Sequence, residues 1–209
     1  NAPTVCRVDR LKPIGDPVDQ SSVSTERYIF DLGQNMVGRV RFKGSASAGT
    51  TVTFRFAEVL NPDGTLYTDN LRTARVTDYY TFKGNGEEVW EPKFTFHGFR
   101  YVELSGYPGP VSRDTITGVV LHSEMKPTGH FECSDPLLNQ LQSNIVWGQK
   151  GNFLDIPTDC PQRDERLGWT GDIQVFARTA AFNMEVAGFL TRWMQEVADA
   201  QGERGNIPP

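Results

Sequence analysis

The run from Asp159 to Asp172 contains the residue types that could cleave a glycosidic bond. It places four carboxylates, two arginines and a tryptophan within fourteen residues. Glu165 lies between Asp164 and Arg166. A carboxyl group that donates a proton near neutral pH needs burial and nearby negative charge to keep that proton. Enzymes that hydrolyse glycosidic bonds commonly use two carboxyl groups, one of which donates a proton to the leaving group. The run therefore offers Glu165 as a candidate proton donor.

Four other residues of the run have the chemistry to hold a sugar. Asp159 and Asp172 are far enough apart along the chain to approach one pocket from two sides, where each carboxylate can accept hydrogen bonds from sugar hydroxyls. Trp169 offers a flat face for the C–H side of a pyranose. Arg163 can bind a hydroxyl or steady a neighbouring carboxylate. These four residues are the predicted substrate ligands.

A simpler interpretation of the run is a solvated charged turn that leads into a helix and carries salt bridges. Two residues speak against it, because Cys160 and Trp169 are unusual choices for a solvated turn. Gly168 and Gly171 also bracket the tryptophan, where a tight backbone could aim its ring. For the charged residues on either side of Glu165, both interpretations stay open.

Composition excludes several classes of function. The chain has 209 residues, 38% hydrophobic residues and a net charge of −5, as is usual for globular proteins. A negative charge without a dense basic stripe argues against a nucleic-acid partner. No apolar run approaches the roughly 18 residues of a membrane span, and no signal peptide is visible. The three cysteines lack the spacing of a zinc site, and no phosphate loop or metal-ligand set occurs. We therefore expect no metal and no cofactor, while the compartment stays open.

The chain changes its pattern near residue 133. Before it, short runs rich in Val, Thr, Phe and Tyr alternate in hydrophobicity and are separated by turn residues. Many short strands with regular turns and no helical period predict an antiparallel β-sandwich in a domain of residues 1–130. The predicted strands are 28–32, 38–42, 51–59, 75–82, 100–104 and 115–121, and one predicted turn is Gly33–Asn35.

Residues 131–209 predict helices. Ser134 is the expected N-cap of the first helix, with Pro136 in its first turn and Leu138, Leu141 and Ile145 on one face. A second helix is expected to start near 170 or 171, and a third to run from about 186 and stop at 202. Their apolar faces are wider than about 75 residues can cover. We therefore expect a fragment, an incomplete helical domain whose uncovered helices could mediate a homodimer.

The run resembles a known family. Asp159-Cys-Pro-Gln-Arg-Asp-Glu-Arg-Leu-Gly-Trp-Thr-Gly-Asp172 is similar to the catalytic-acid stretch of the bacterial α-L-rhamnosidases of glycoside hydrolase family 78. The resemblance continues upstream through Phe30–Gly38, Asp78–Gly84 and Phe94–Val102, which look like the β-sandwich domain that precedes the (α/α)6 barrel of those enzymes. It covers about residues 26–209.

The resemblance implies hydrolysis of terminal α-L-rhamnosides with inversion at the anomeric carbon. It implies that Glu165 is the general acid and that Asp159, Arg163, Trp169 and Asp172 line the rhamnose subsite. Inversion needs a second carboxylate about 6.5–9.5 Å away to activate water, and in this family that base comes from a later part of the barrel. No residue of this chain matches it, so the chain alone is expected to be inactive.

A second functional hypothesis is a non-catalytic carbohydrate-binding module. Sandwiches can bind sugars on an aromatic face, and five strand aromatics could provide one: Tyr79, Tyr80, Phe94, Phe96 and Phe99. Their strand parity is more simply explained by packing in the core. Glu58, Asp63 and Asp69 could bind calcium, although turn residues of this kind are usually ordinary acids. The sequence names neither the aglycone nor the oligomeric state.

Overall fold

The computed structural model describes residues 3–23 and 25–207, which form two compact units. The sandwich unit comprises Val8–Val120 together with the short segment Gln162–Asp164. The helical unit comprises the residues up to Arg7, the stretch Leu121–Pro161 and the chain from Glu165 onward. The expected division into a domain of residues 1–130 and another of residues 131–209 stays a proposal.

Antiparallel strands dominate the first part of the chain. The strands are β1 (Val5–Leu11), β2 (Val18–Asp19), β3 (Arg27–Gly44), β4 (Thr51–Ala57), β5 (Thr77–Thr81), β6 (Glu88–Trp90), β7 (His97–Ser105) and β8 (Ile116–Ser123). They form one 8-stranded sheet in the order β1-β8-β3-β7-β4-β5, with β2 and β6 paired to β3. The predicted fold class, mainly antiparallel β-structure followed by helices, is confirmed.

An aromatic core joins distant strands of this sheet. Phe42 on β3 is fully buried and contacts the rings of Phe54, Phe82 and Tyr107 at centroid distances of 5.2, 5.8 and 5.4 Å. Phe82 follows β5, which is separated from β3 by two strands in the sheet order. The sheet must therefore curve until β3 and β5 face each other across the core.

The turn predicted at Gly33–Asn35 is wrong, because β3 continues through it as one strand of 18 residues. The pairing of β3 with β7 shifts register between Asp31 and Met36, which identifies a β-bulge. Gly33 has φ +74, and its amide donates to Asp31 Oδ1 at 2.7 Å. A bulge uses the same glycine and asparagine chemistry as a turn, so the local signal is shared by both structures.

The helical unit consists of α1 (Pro136–Asn152), the hairpin strands β9 (Phe153–Leu154) and β10 (Ile156–Pro157), α2 (Thr170–Asn183) and α3 (Ala187–Asp199). The predicted start of α2 at Thr170 is confirmed. The N-cap of α1 is Asp135, whose carboxylate accepts from the Leu137 amide at 2.8 Å, and not Ser134. Pro136 occupies the first helical position, so the residue directly before it becomes the cap.

The core of the helical unit is small and aromatic. Phe153 stacks on Phe189 at a centroid distance of 4.6 Å, and Ala180, Met184 and Val186 are buried around them. Leu138 and Leu141 of α1, predicted to share an apolar face, are 47% and 53% exposed. Among the described residues, no helix has the length and apolarity needed to cross a bilayer.

Candidate functional site

A tight hairpin positions Asp159. Strands β9 and β10 pair with Leu154 opposite Ile156, which leaves Asp155 alone at the turn with φ +71. The Thr158 amide donates to the Asn152 carbonyl at 2.7 Å, and the Thr158 hydroxyl donates to the same carbonyl at 3.1 Å. These bonds fix the backbone immediately before Asp159 to the end of α1.

The carboxylates of Asp159 and Glu165 lie close together. An oxygen of each and the Cys160 sulfur all lie within 4.8 Å of one another, and all three side chains are half-buried. The Leu167 amide donates to the Glu165 carbonyl at 2.7 Å, so the chain turns sharply after the glutamate. Two oxygens and a sulfur at this spacing could hold a metal ion, but acidic groups often cluster without one. The expectation that no metal binds stays a prediction.

A cavity of about 270 Å³ opens beside this pair and contains two of the predicted sugar ligands, Asp159 and Asp172. Asp172 lies in the first turn of α2, where the helix dipole favours a carboxylate. The cavity wall is otherwise largely apolar, with Phe153 and Phe176 among its residues. An apolar cavity with two carboxylates suits a molecule that has both C–H faces and hydroxyl groups.

Trp169 is the N-cap residue of α2 and is half-buried. The loop before it approaches α3 closely, because a Cβ on Gly168 would meet the Trp193 ring at 2.4 Å. Gly168 thus leaves space for the Trp193 ring, whereas a Cβ on Gly171 would meet nothing within 4 Å. The expectation that the two glycines aim the Trp169 ring stays a prediction. The indole Nε1 of Trp169 is buried without a hydrogen-bond partner in the described part of the chain.

Arg163 and the other predicted ligands are assigned to different units of the chain. Arg163 lies in the segment Gln162–Asp164, which belongs to the sandwich unit, whereas Asp159, Glu165, Trp169 and Asp172 belong to the helical unit. Asp164 accepts a hydrogen bond from the Thr73 hydroxyl, and this bond lowers the pKa of the Asp164 carboxyl. Burial lowers the pKa of the Arg166 guanidinium. The fourteen-residue run is thus not one structural element.

Several residues of the cavity were not predicted. Asn152 and Thr158 line it, and the Asn152 Oδ1 is buried without a hydrogen-bond partner among the described residues. Gln149 lines it from α1 and is 1% exposed. The sequence carries one signal for them, since Asn152 to Thr158 directly precede the charged run. They were missed because the surrounding sequence is mostly apolar and predicts only a helix and a strand.

The aromatics of the binding-module hypothesis do not share one environment. Phe99 is fully buried, and Tyr80 packs against Trp90 with ring centroids 5.3 Å apart. Tyr79 and Phe94 are exposed. The candidate calcium ligands make ordinary bonds: Glu58 accepts from two asparagine amides, and Asp63 accepts from the amide and hydroxyl of one threonine.

Comparison with known proteins gives consistent results. Two family profiles match: the bacterial alpha-L-rhamnosidase concanavalin-like domain over residues 21–122 and the bacterial alpha-L-rhamnosidase 6 hairpin glycosidase domain over residues 126–209. An alpha-L-rhamnosidase of Streptomyces avermitilis is 62% identical over 178 residues, which is 85% of this chain and 17% of that protein. One of Formosa agariphila is 57% identical over 188 residues, 89% of this chain and 20% of that protein.

A solved structure agrees with these relatives. The crystal structure of a Streptomyces avermitilis alpha-L-rhamnosidase complexed with L-rhamnose superposes with a TM-score of 0.94 at 54% identity, covering 99% of this chain and 20% of that one. The chain thus spans about a fifth of the length of these proteins. Both profiles, the sequence relatives and the structural neighbour point to one family. The chain belongs to the bacterial α-L-rhamnosidases.

Proposed function

We propose that this chain provides the acid half of the active site of an enzyme that hydrolyses terminal α-L-rhamnosides with inversion. Glu165 protonates the departing glycosidic oxygen, and Asp159, Trp169, Asp172 and Arg163 hold the rhamnose. The general base is supplied from outside this chain. The scaffolding of that site is the role proposed for the sandwich domain.

The observation that carries the proposal is that Asp159 lies both in the cavity wall and next to Glu165. Its side chain lines the cavity and also lies within 4.8 Å of Glu165, so a proton donor stands next to a pocket of suitable chemistry. Asp159 Oδ1 and Trp169 Nε1 are a buried acceptor and a buried donor without partners in the described residues. Sugar hydroxyls could satisfy both, because a hydroxyl donates and accepts. The Streptomyces relative binds L-rhamnose.

The same closeness argues against Asp159 as the water-activating base. Inverting enzymes separate their carboxyl groups by about 6.5–9.5 Å to admit a water molecule, whereas retaining enzymes separate them by about 5–5.5 Å. One oxygen of each carboxylate lies within 4.8 Å of the other, which is below the range for inverting pairs. Glu185 caps the Ala187 amide of α3, and Glu196 pairs with Arg192, which suits both to structural roles. These observations support the proposal that the base comes from outside this chain.

Glu165→Gln in the full-length protein tests the role of the acid. Proton donation typically contributes about 10²–10⁴-fold, so turnover of an alkyl α-L-rhamnoside should fall by that factor. An aryl rhamnoside with a strongly acidic phenol should lose much less, because its leaving group needs little protonation. Undiminished turnover of the alkyl substrate would remove Glu165 from the mechanism.

The configuration of the first product tests inversion. Proton NMR recorded during the first turnovers should show β-L-rhamnose before mutarotation. First release of the α anomer would instead indicate retention and would make Asp159, at its short distance from Glu165, the nucleophile.

The missing base predicts that residues 1–209 alone do not turn over aryl α-L-rhamnosides. Turnover by the purified chain that disappears in Glu165→Gln would contradict this prediction.

A further inference from the structure

The segment Gln162–Asp164 connects the sandwich unit to the proposed acid through the chain itself. These three residues cluster with the sandwich unit, whereas Pro161 before them and Glu165 after them belong to the helical unit. Asp164 directly precedes Glu165 in the chain, and a peptide bond joins the two residues. Whatever fixes the backbone of the segment therefore also fixes one side of the backbone that carries the proton donor.

Gly98 on β7 makes room for this segment. A Cβ on Gly98 would lie 2.9 Å from the Gln162 Cβ and 3.1 Å from both its Cα and its backbone nitrogen. No closer atoms from other residues compete, since these are its three nearest neighbours. A methyl group at this position would thus press on the segment, which would have to move about half an ångström to reach the 3.4 Å limit of ordinary contact.

Strand β7 is expected to resist displacement more strongly than the segment does. Gly98 pairs with Val37 in the ladder between β3 and β7, and the next residue, Phe99, is fully buried and packs on Phe56 at 4.8 Å. The segment forms only turn and bend structure. Because ladder bonds and core packing resist displacement more than a surface turn does, the segment moves.

Thr73 holds the other end of the same segment. Its hydroxyl donates to Asp164 Oδ2. The loop that carries Thr73 is anchored by buried Leu71, whose carbonyl accepts from the Ala74 amide at 3.1 Å. Asn70 in the same loop donates to Glu58 at 3.0 Å. The sandwich thus contacts the segment at Gln162 by close packing and at Asp164 by a charge-assisted hydrogen bond.

We infer that Gly98 and Thr73 are positioning residues for the proposed general acid. They act by fixing the turn that leads into Glu165. This inference rests on the proposed function of Glu165. A misplacement on the scale of an ångström can cost up to about 10²-fold in rate, so half that displacement is expected to cost about 10-fold.

The experiment compares two substrates in the full-length protein. One is an alkyl α-L-rhamnoside, whose departure needs the acid, and the other is a dinitrophenyl α-L-rhamnoside, whose departure does not. Gly98→Ala should lower kcat about 10-fold on the alkyl substrate and little on the dinitrophenyl one. Thr73→Val should act in the same direction with a smaller loss, and Thr73→Ser should restore it because the hydroxyl returns. Arg163 shares the segment, so KM is also expected to rise; only the ratio of the two kcat values reports on Glu165.

Two controls separate positioning from general damage. Gly118→Ala on β8 also crowds the sandwich core, where its Cβ would meet Leu32 Cδ1 at 2.7 Å, but it lies against no residue of the segment. It should leave the kcat ratio unchanged. Gln162→Gly removes the Cβ that a side chain at position 98 would strike, so the double variant Gly98→Ala/Gln162→Gly should recover the ratio of Gln162→Gly alone.

The outcomes distinguish this inference from the proposed function. If Glu165→Gln shifts the kcat ratio and Gly98→Ala does not, the positioning role is refuted while the acid role stands. If Glu165→Gln itself leaves the ratio unchanged, the acid role fails first and the inference falls with it. An equal loss on both substrates in Gly98→Ala, without rescue by Gln162→Gly, would mean structural damage only and would also overturn the inference.

Discussion

Replacing Asp31 by Asn should weaken the sandwich in a pH-dependent way. Asp31 lies at the bulge of β3 and accepts from Arg100 on β7 through both carboxylate oxygens, each at 2.7 Å. The Gly33 amide adds a third bond at 2.7 Å. The substitution keeps the side-chain volume but removes the negative charge and one acceptor oxygen. Arg100 therefore loses one of its two hydrogen bonds to residue 31.

The size of the effect follows from geometry and exposure. Hydrogen bonds to charged groups contribute about 1.5–3 kcal/mol, whereas exposed ion pairs contribute about 0.2–1 kcal/mol. The side chains of Asp31 and Arg100 are 28% and 36% exposed, between these two situations. We therefore expect a loss of about 1–2 kcal/mol at pH 7.

The hydrogen bonds from Arg100 hold the pKa of the Asp31 carboxyl below its ordinary value of 3.8. A carboxyl whose pKa is depressed by folding stabilises the fold above its unfolded pKa, and this contribution is lost as the pH falls through the folded value. The difference between the native chain and Asp31→Asn should therefore be full at pH 7 and should shrink in acid below pH 3.8.

Urea unfolding of fluorotryptophan-labelled chains, followed by fluorine NMR, measures this difference in the sandwich itself. Trp90 stacks on Phe54 at 5.3 Å and reports on the sandwich, separately from the three tryptophans of the helical unit. Asp114→Asn is the matched control, because Asp114 is 83% exposed in its pair with Lys12 and its loss should not be measurable. A difference for Asp31→Asn that persists undiminished in acid would refute the assigned cause.

Three further outcomes test other parts of the molecule. Phe42→Ala should destabilise the sandwich by about 3–5 kcal/mol in the same titration, while Phe94→Ala, at a fully exposed ring, should have no effect; equal losses would contradict the assigned core. Gly168→Ala should shift the fluorine resonance of Trp193, whose ring lies 2.4 Å from the added methyl, and should lower turnover of the full-length protein, whereas Gly171→Ala should do neither. Chelation by EDTA should leave turnover unchanged, since a loss restored by a divalent ion would assign a metal to the cluster of Asp159, Cys160 and Glu165.

Strong periodic signals predicted the main elements. The strands that correspond to β4, β5, β7 and β8 were found because their side chains alternate between core and surface, and α2 begins where its apolar spacing begins. Strands β1, β2 and β6 were not predicted. β1 and β2 are mostly exposed, and β6 has three residues, so neither burial nor length leaves an alternating pattern to detect.

The errors at turns and caps have a local cause. Glycine and asparagine serve turns and bulges alike, so Gly33 and its neighbours could not distinguish a reversal of the chain from a bulge within β3. Ser134 and Asp135 are both good caps, and only the position of Pro136 in the helix decides between them. In each case the competing structures share the same residue preferences, and tertiary pairing selects one.

For the candidate site too, residue types predicted some features, whereas contacts between distant positions could not be predicted. Residue types alone identified Glu165 and its partners as candidates, because acid chemistry on sugars needs those groups. Gln162 and Gly98 lie far apart in the chain but close together in the structure. Neither residue type predicts this contact. A continuous motif in sequence is therefore held by contacts from two units. If Glu165 is the proton donor, we expect substitutions in β7 that leave the core intact to alter proton donation through the segment Gln162–Asp164.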